Sequence, residues 1–136
     1  MPCSFEFSPP RRILLCRITG ELDDPRVHAY YAAMTRCSRA HDPQIGITWL
    51  DVTPMRVTPQ AVQELAWLPP AMPDPTRPRF VVAPADDAYG LVRLFQLHGE
   101  ATRPRLTVVR AMDEVFRHLY LHEPPAFSPL AGFDCD

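Results

Sequence analysis

The chain is poor in the features that mark the commonest α/β functions. Its five glycines, at 20, 46, 90, 99 and 132, form neither G-x-G-x-x-G nor G-x-x-x-x-G-K, so no dinucleotide fingerprint and no P-loop is written in it. No basic run is longer than Arg11-Arg12, and 14 basic against 16 acidic residues leave a net charge of −2. Such a chain has no electrostatic footprint for nucleic acid phosphates. No stretch approaches the about 20 apolar residues of a bilayer span. Met1-Pro2-Cys3-Ser4-Phe5-Glu6 lacks the basic start and apolar segment of a signal peptide. A soluble, cytoplasmic protein is the expectation. Cysteines 3, 16, 37 and 135 show no C-x-x-C, so buried or incidental thiols are expected rather than disulfides or a zinc site. G-x-S-x-G is missing as well.

What the chain has is apolar content and proline. With 46% hydrophobic residues in 136, it can build one sizeable core. Its 17 prolines fall between periodic segments or, as Pro25 and Pro59, where a helix begins. None interrupts a helical pattern, as folding requires.

The periodicity predicts strands at Ser4–Phe7 and Arg12–Thr19, joined as a hairpin, with Gly20 ending the second. Asp23 or Asp24 followed by Pro25 opens a first helix, whose Val27, Tyr30, Tyr31, Met34 and Ser38 form one stripe. Gly46–Asp51 is a strand, and Thr58-Pro59 opens a second helix with Val62, Leu65 and Ala66 inside. A stiff connector, Pro69–Pro78, leads to a strand at Arg79–Ala83. Asp86-Asp87 caps a third helix, Leu106–Val109 is the last strand, and Met112, Val115, Phe116 and Leu119 mark a fourth helix.

The order β-β-α-β-α-β-α-β-α implies an α/β fold: a single, mostly parallel sheet with an N-terminal hairpin and helices packed over it. Residues 1–122 are expected to form one domain and 123–136 a proline-rich, non-helical tail.

Four motifs carry a family resemblance: Ile18-Thr19-Gly20-Glu21-Leu22-Asp23, Trp49-Leu50-Asp51-Val52-Thr53, Thr58-Pro59, and the segment from Val82 to Phe95 that contains Asp86-Asp87-Ala88-Tyr89-Gly90. In that order they resemble the SpoIIAA-like, STAS-related family of small bacterial proteins, over about residues 4 to 121. The resemblance implies a non-enzymatic regulatory or protein-interaction domain. In the phosphoregulated members, a serine opens the helix after the Leu-Asp strand. Here Pro59, Gln60 and Ala61 stand near that position, which places the chain with the uncharacterised branch.

The residues leave two readings of function. The first is contact with a protein partner or self-association through Trp67, Met72, Phe127, Leu130 and Phe133. The alternative is a small-molecule binder for an apolar or lipid-like ligand, though a chain of this size leaves little volume beyond its own core. In open α/β sheets, ligands sit where strand ends converge. That rule points to a notch of Asp51, Thr53, Arg56, Thr58, Asp86, Tyr89 and Arg93, with Arg93 across the Tyr89 ring or reaching a carboxylate such as Asp86. No cofactor is implied. His118 and His122 are four apart but lack a third ligand, so no metal site is expected.

Overall fold

The structure is a computed structural model that describes residues 3–133. Strands β1 (Cys3–Ser8) and β2 (Ile13–Asp23) form the expected hairpin, turned by a 3-10 segment at Pro9–Arg11. Then follow α1 (Asp24–His41), β3 (Ile45–Arg56), α2 (Pro59–Trp67), β4 (Arg79–Val82), α3 (Asp86–His98), β5 (Leu106–Val109), α4 (Met112–His118) and β6 (Ser128–Pro129).

The six strands lie in one sheet in the order β5-β4-β3-β2-β1-β6. β2 to β5 run parallel, whereas β1 is antiparallel to both β2 and β6. The sheet is therefore mixed: β2 to β5 make its parallel part, as expected, and the hairpin and the tail each add an antiparallel pairing.

Gly20 does not end β2. It takes φ +80 where the register shifts: from Gly20–Val52 to Leu22–Met55 the extra residue lies on β3, so β3 carries the bulge and pairing continues to Asp23 opposite Arg56. The same pairing carries β3 past Asp51, through a cis Thr53–Pro54 bond.

The first two caps form as their residues predict. Asp23 accepts from the Arg26 N–H at 3.0 Å, and Thr58 accepts from the Ala61 N–H at 3.2 Å. At α3 the cap position falls instead on Ala85, which has no side chain to offer. Asp86 and Asp87 lie inside the first turn, where the helix dipole still favours them.

Helices α1, α2 and α3 cover one sheet face, packing Tyr30, Ala33, Val62 and Val92 against Leu14, Cys16, Ile18, Leu50 and Val52. On the opposite face α4 sets Val115 and Leu119 against Ile13, Leu15, Ile47, Phe80 and Val82. Coverage of both faces is why β2 reads as an unbroken apolar run from Ile13 to Cys16.

The tail is non-helical to residue 133, and it belongs to the fold. Ser128 and Pro129 pair with β1, Phe127 packs on the α4-side core, and Leu130 and Phe133 pack on the other. Cys3 is disulfide-bonded, contrary to the expectation of thiols throughout: linear spacing carries no information about which residues a sheet edge brings together. Cys16 and Cys37 are free and buried. Cys135 lies outside the described residues. Among these, no helix is long and apolar enough to cross a membrane.

Candidate functional site

The seven residues expected to form a notch do not converge. Along β3, Ile47 and Trp49 face the α4 side while Leu50 and Val52 face α1–α3. By that alternation Asp51 and Thr53 point away from α3, which carries Tyr89 and Arg93. Thr58 is engaged locally: its N–H and its hydroxyl each donate to Asp24 at 2.8 Å. Arg56 sits 3.4 Å from Glu21 in an exposed pair. Tyr89 is covered by Arg110 at 4.7 Å, not by Arg93, and Arg110 also holds Asp86 at 2.5 Å. Arg93 turns to Gln96 at 2.5 Å. The reason is reach: β5 ends beside the start of α3, so Arg110 lies over that turn more directly than a residue on the helix itself.

Of the residues expected on an interaction surface, Trp67 is 69% exposed, but Met72 is only 6% exposed. The Met72 sulfur occupies the space beside Gly46, where a Cβ would lie 2.6 Å from it. Phe127, Leu130 and Phe133 are partly buried in intramolecular packing, and the Phe133 ring meets Phe5 edge-on at 6.2 Å.

What the structure does assemble is a cavity of about 170 Å³ between the sheet and α1, α2 and α3. The small size of the chain argued against spare volume; the helices nevertheless stand off the sheet far enough to leave it. The lining is almost wholly apolar, from Leu22, Met55 and Val57 through Leu14, Cys16 and Leu50 to Met72 and Leu106. Burial pushes the Cys16 thiol up and the Cys37 thiol up to about 11, so both are unreactive apolar groups rather than nucleophiles.

At the amino-terminal end of β4 and β5, two arginines enter this lining. Arg79 is 9% exposed and Arg103 4%. Where α2 ends, Arg103 donates to the carbonyls of Leu65, Ala66 and Leu68 at 3.4, 2.8 and 3.0 Å, the first of which also accepts the Leu68 N–H. It also donates to the Tyr31 hydroxyl at 2.7 Å and stacks 4.8 Å from the Phe95 ring. Tyr31 in turn donates to Pro69 O at 2.6 Å. A Cβ on Gly99 would lie 2.9 Å from the Arg103 guanidinium, so glycine there makes room for it. Arg79 donates to the carbonyls of Met72 and Asp74, fixing the connector across this end of the cavity.

The electrostatics of this pair are unusual. Among the described residues no salt bridge joins either guanidinium to a carboxylate; every acceptor named above is neutral. Desolvation, and then the neighbouring Arg103 charge, lower the Arg79 pKa. The buried Arg79 Nε has no hydrogen-bond partner. Asp74 acts on Arg79 only through space, its charge opposing part of that lowering; Thr76 donates to its carboxyl from hydroxyl and backbone and holds it below the usual range.

No family model, curated protein or solved structure matches the chain. Among the described residues no group of three or more His, Cys, Asp or Glu is placed to hold a metal ion.

Nothing in the sequence singled out Arg79 or Arg103. All 14 basic residues are arginine, so residue type separates neither from the rest. The only available signal was position: Arg79 opens an otherwise apolar strand directly after Pro78.

Proposed function

We propose that this chain is a small, non-enzymatic regulatory domain of the SpoIIAA-like kind that binds an apolar small molecule between its sheet and α1–α3. The cavity carries the binding half of this reading. Its apolar lining favours an apolar ligand, which gains about 25 cal/mol for each Å² of apolar surface taken out of water. Its volume lies below the about 300 Å³ of drug-sized sites and near the about 150 Å³ that admits benzene. The occupant is thus a molecule of about six to nine non-hydrogen atoms. The hairpin followed by alternating strands and helices, together with the four motifs, supports the family half.

Thermal unfolding with benzene or 1-hexanol tests the binding. A ligand at about a hundred times its Kd adds about 2.7 kcal/mol, a rise in Tm of several degrees. An unchanged Tm with both probes, together with unchanged methyl NMR shifts of Leu14 and Leu91, rules the reading out.

A second reading is favoured by the exposure of Trp67 (69%) and Leu68 (42%) where α2 ends. These side chains form an apolar corner suited to self-association. Light scattering of the chain over a concentration series, alone and with Trp67→Ser, tests it. A mass that stays monomeric throughout excludes that role.

A further inference from the structure

We infer that the ligand of this cavity is an organic monocarboxylate with a short apolar body, its carboxylate lodged at the end formed by Arg79, Arg103 and Tyr31. This inference rests on the binding reading above and adds the charge of the ligand to it.

Three observations carry it. Two guanidinium groups are buried at one end of a cavity whose remaining lining is apolar, so the site already has the polarity of an acid with a hydrocarbon tail. Buried charges are ordinarily paired with opposite charge, yet the acceptors around both arginines are neutral carbonyls and a phenol. The Arg79 Nε–H, finally, is buried without an acceptor. Carbonyl oxygens satisfy individual N–H groups but do not neutralise the two positive charges. A single carboxylate at this end supplies a full negative charge, which no carbonyl does. Charge-assisted hydrogen bonds of this kind are about twice as strong as neutral ones.

Size restricts the class further. With about 170 Å³ available, hexanoate or benzoate fits, whereas a long-chain fatty acid exceeds the space. The Tyr31 hydroxyl and the α2 carbonyls keep Arg103 in place, and the Met72 and Asp74 carbonyls keep Arg79 in place. The cationic end is therefore formed before any ligand arrives.

The test is isothermal titration of the intact chain with hexanoate, 1-hexanol and hexylamine. The expected result is hexanoate binding at least about tenfold tighter than 1-hexanol, with hexylamine, protonated at neutral pH, binding weakest. Arg79→Met removes one of the two charges and is expected to erase most of the preference for hexanoate. Equal binding of hexanoate and 1-hexanol overturns the inference while leaving the cavity reading intact. Failure of all three to bind overturns both. Full preference retained in Arg79→Met removes Arg79 from the site and overturns the assignment. The wild-type comparison of acid and alcohol decides the matter even if the variant folds poorly.

Discussion

At the carboxyl ends of β2 and β3, charged and hydroxyl side chains stand near solvent and satisfy one another: Thr58 with Asp24, Arg56 with Glu21, Arg26 with Asp23. At the amino ends of β4 and β5 two arginines are buried, and they meet only neutral partners. The first arrangement is complete in itself and leaves little for a ligand to add. The second has no direct carboxylate contact and leaves the Arg79 Nε without an acceptor, and Asp74 offsets the Arg79 charge only through space. On the reading proposed above, this end gains most from an anion, whereas open α/β sheets generally bind at strand carboxyl ends.

Substitution at Arg103 gives the largest effect expected. Arg103→Met strands the carbonyls of Ala66 and Leu68 without this donor, and should cost about 3 kcal/mol or more in urea unfolding. A loss below about 1 kcal/mol would show that this end is looser than drawn and would weaken the contrast. Next is Gly46→Ala, whose new Cβ must displace the Met72 sulfur. About 1–2 kcal/mol of destabilisation is expected, with changed affinity for 1-hexanol because Met72 lines the cavity. At the opposite end, Thr58→Ala removes a cap and the bond to Asp24, for about 1 kcal/mol, and should leave hexanoate binding unaltered. Weakened hexanoate binding in that variant would break the separation between the two ends.

The smallest effect concerns pH. Backbone N–H groups of Arg110 and Ala111 donate to Glu114 and hold its carboxyl below the usual range. A depressed carboxylate stabilises the fold above its unfolded pKa, and that contribution disappears as pH falls through the folded value. The stability difference between the wild type and Glu114→Gln should therefore be present near neutrality and shrink in acid. A difference that is constant with pH would mean that the bonds to the start of α4 do not depend on the charge.

Much of the scaffold was legible in the residues. Asp23-Asp24-Pro25 and Thr58-Pro59 placed the starts of α1 and α2 because capping is a local hydrogen-bond requirement. The alternating apolar segments placed the strands. Two boundaries were misread for reasons of pairing. Gly20 breaks a strand in isolation, but here β2 pairs on past it opposite a bulge in β3, and Asp51 looked terminal although β2 extends alongside it. The candidate site was not legible. Asp51, Tyr89 and Arg93 were joined by a rule about strand ends, but strand alternation sets Asp51 on the opposite face, and Arg110, from a different element, took the place given to Arg93.

By itself the sequence determined the order of elements as far as α4, the starts of α1 and α2, and the apolar faces. Each depends on residues close together along the chain, through backbone dihedrals, caps and periodicity. Only the tertiary structure decided that Arg79 and Arg103 are the interior arginines, that Met72 is buried against Gly46, and that the tail closes the β1 edge. Those outcomes rest on contacts between segments tens of residues apart, where burial turns an ordinary surface charge into one with no carboxylate in direct contact.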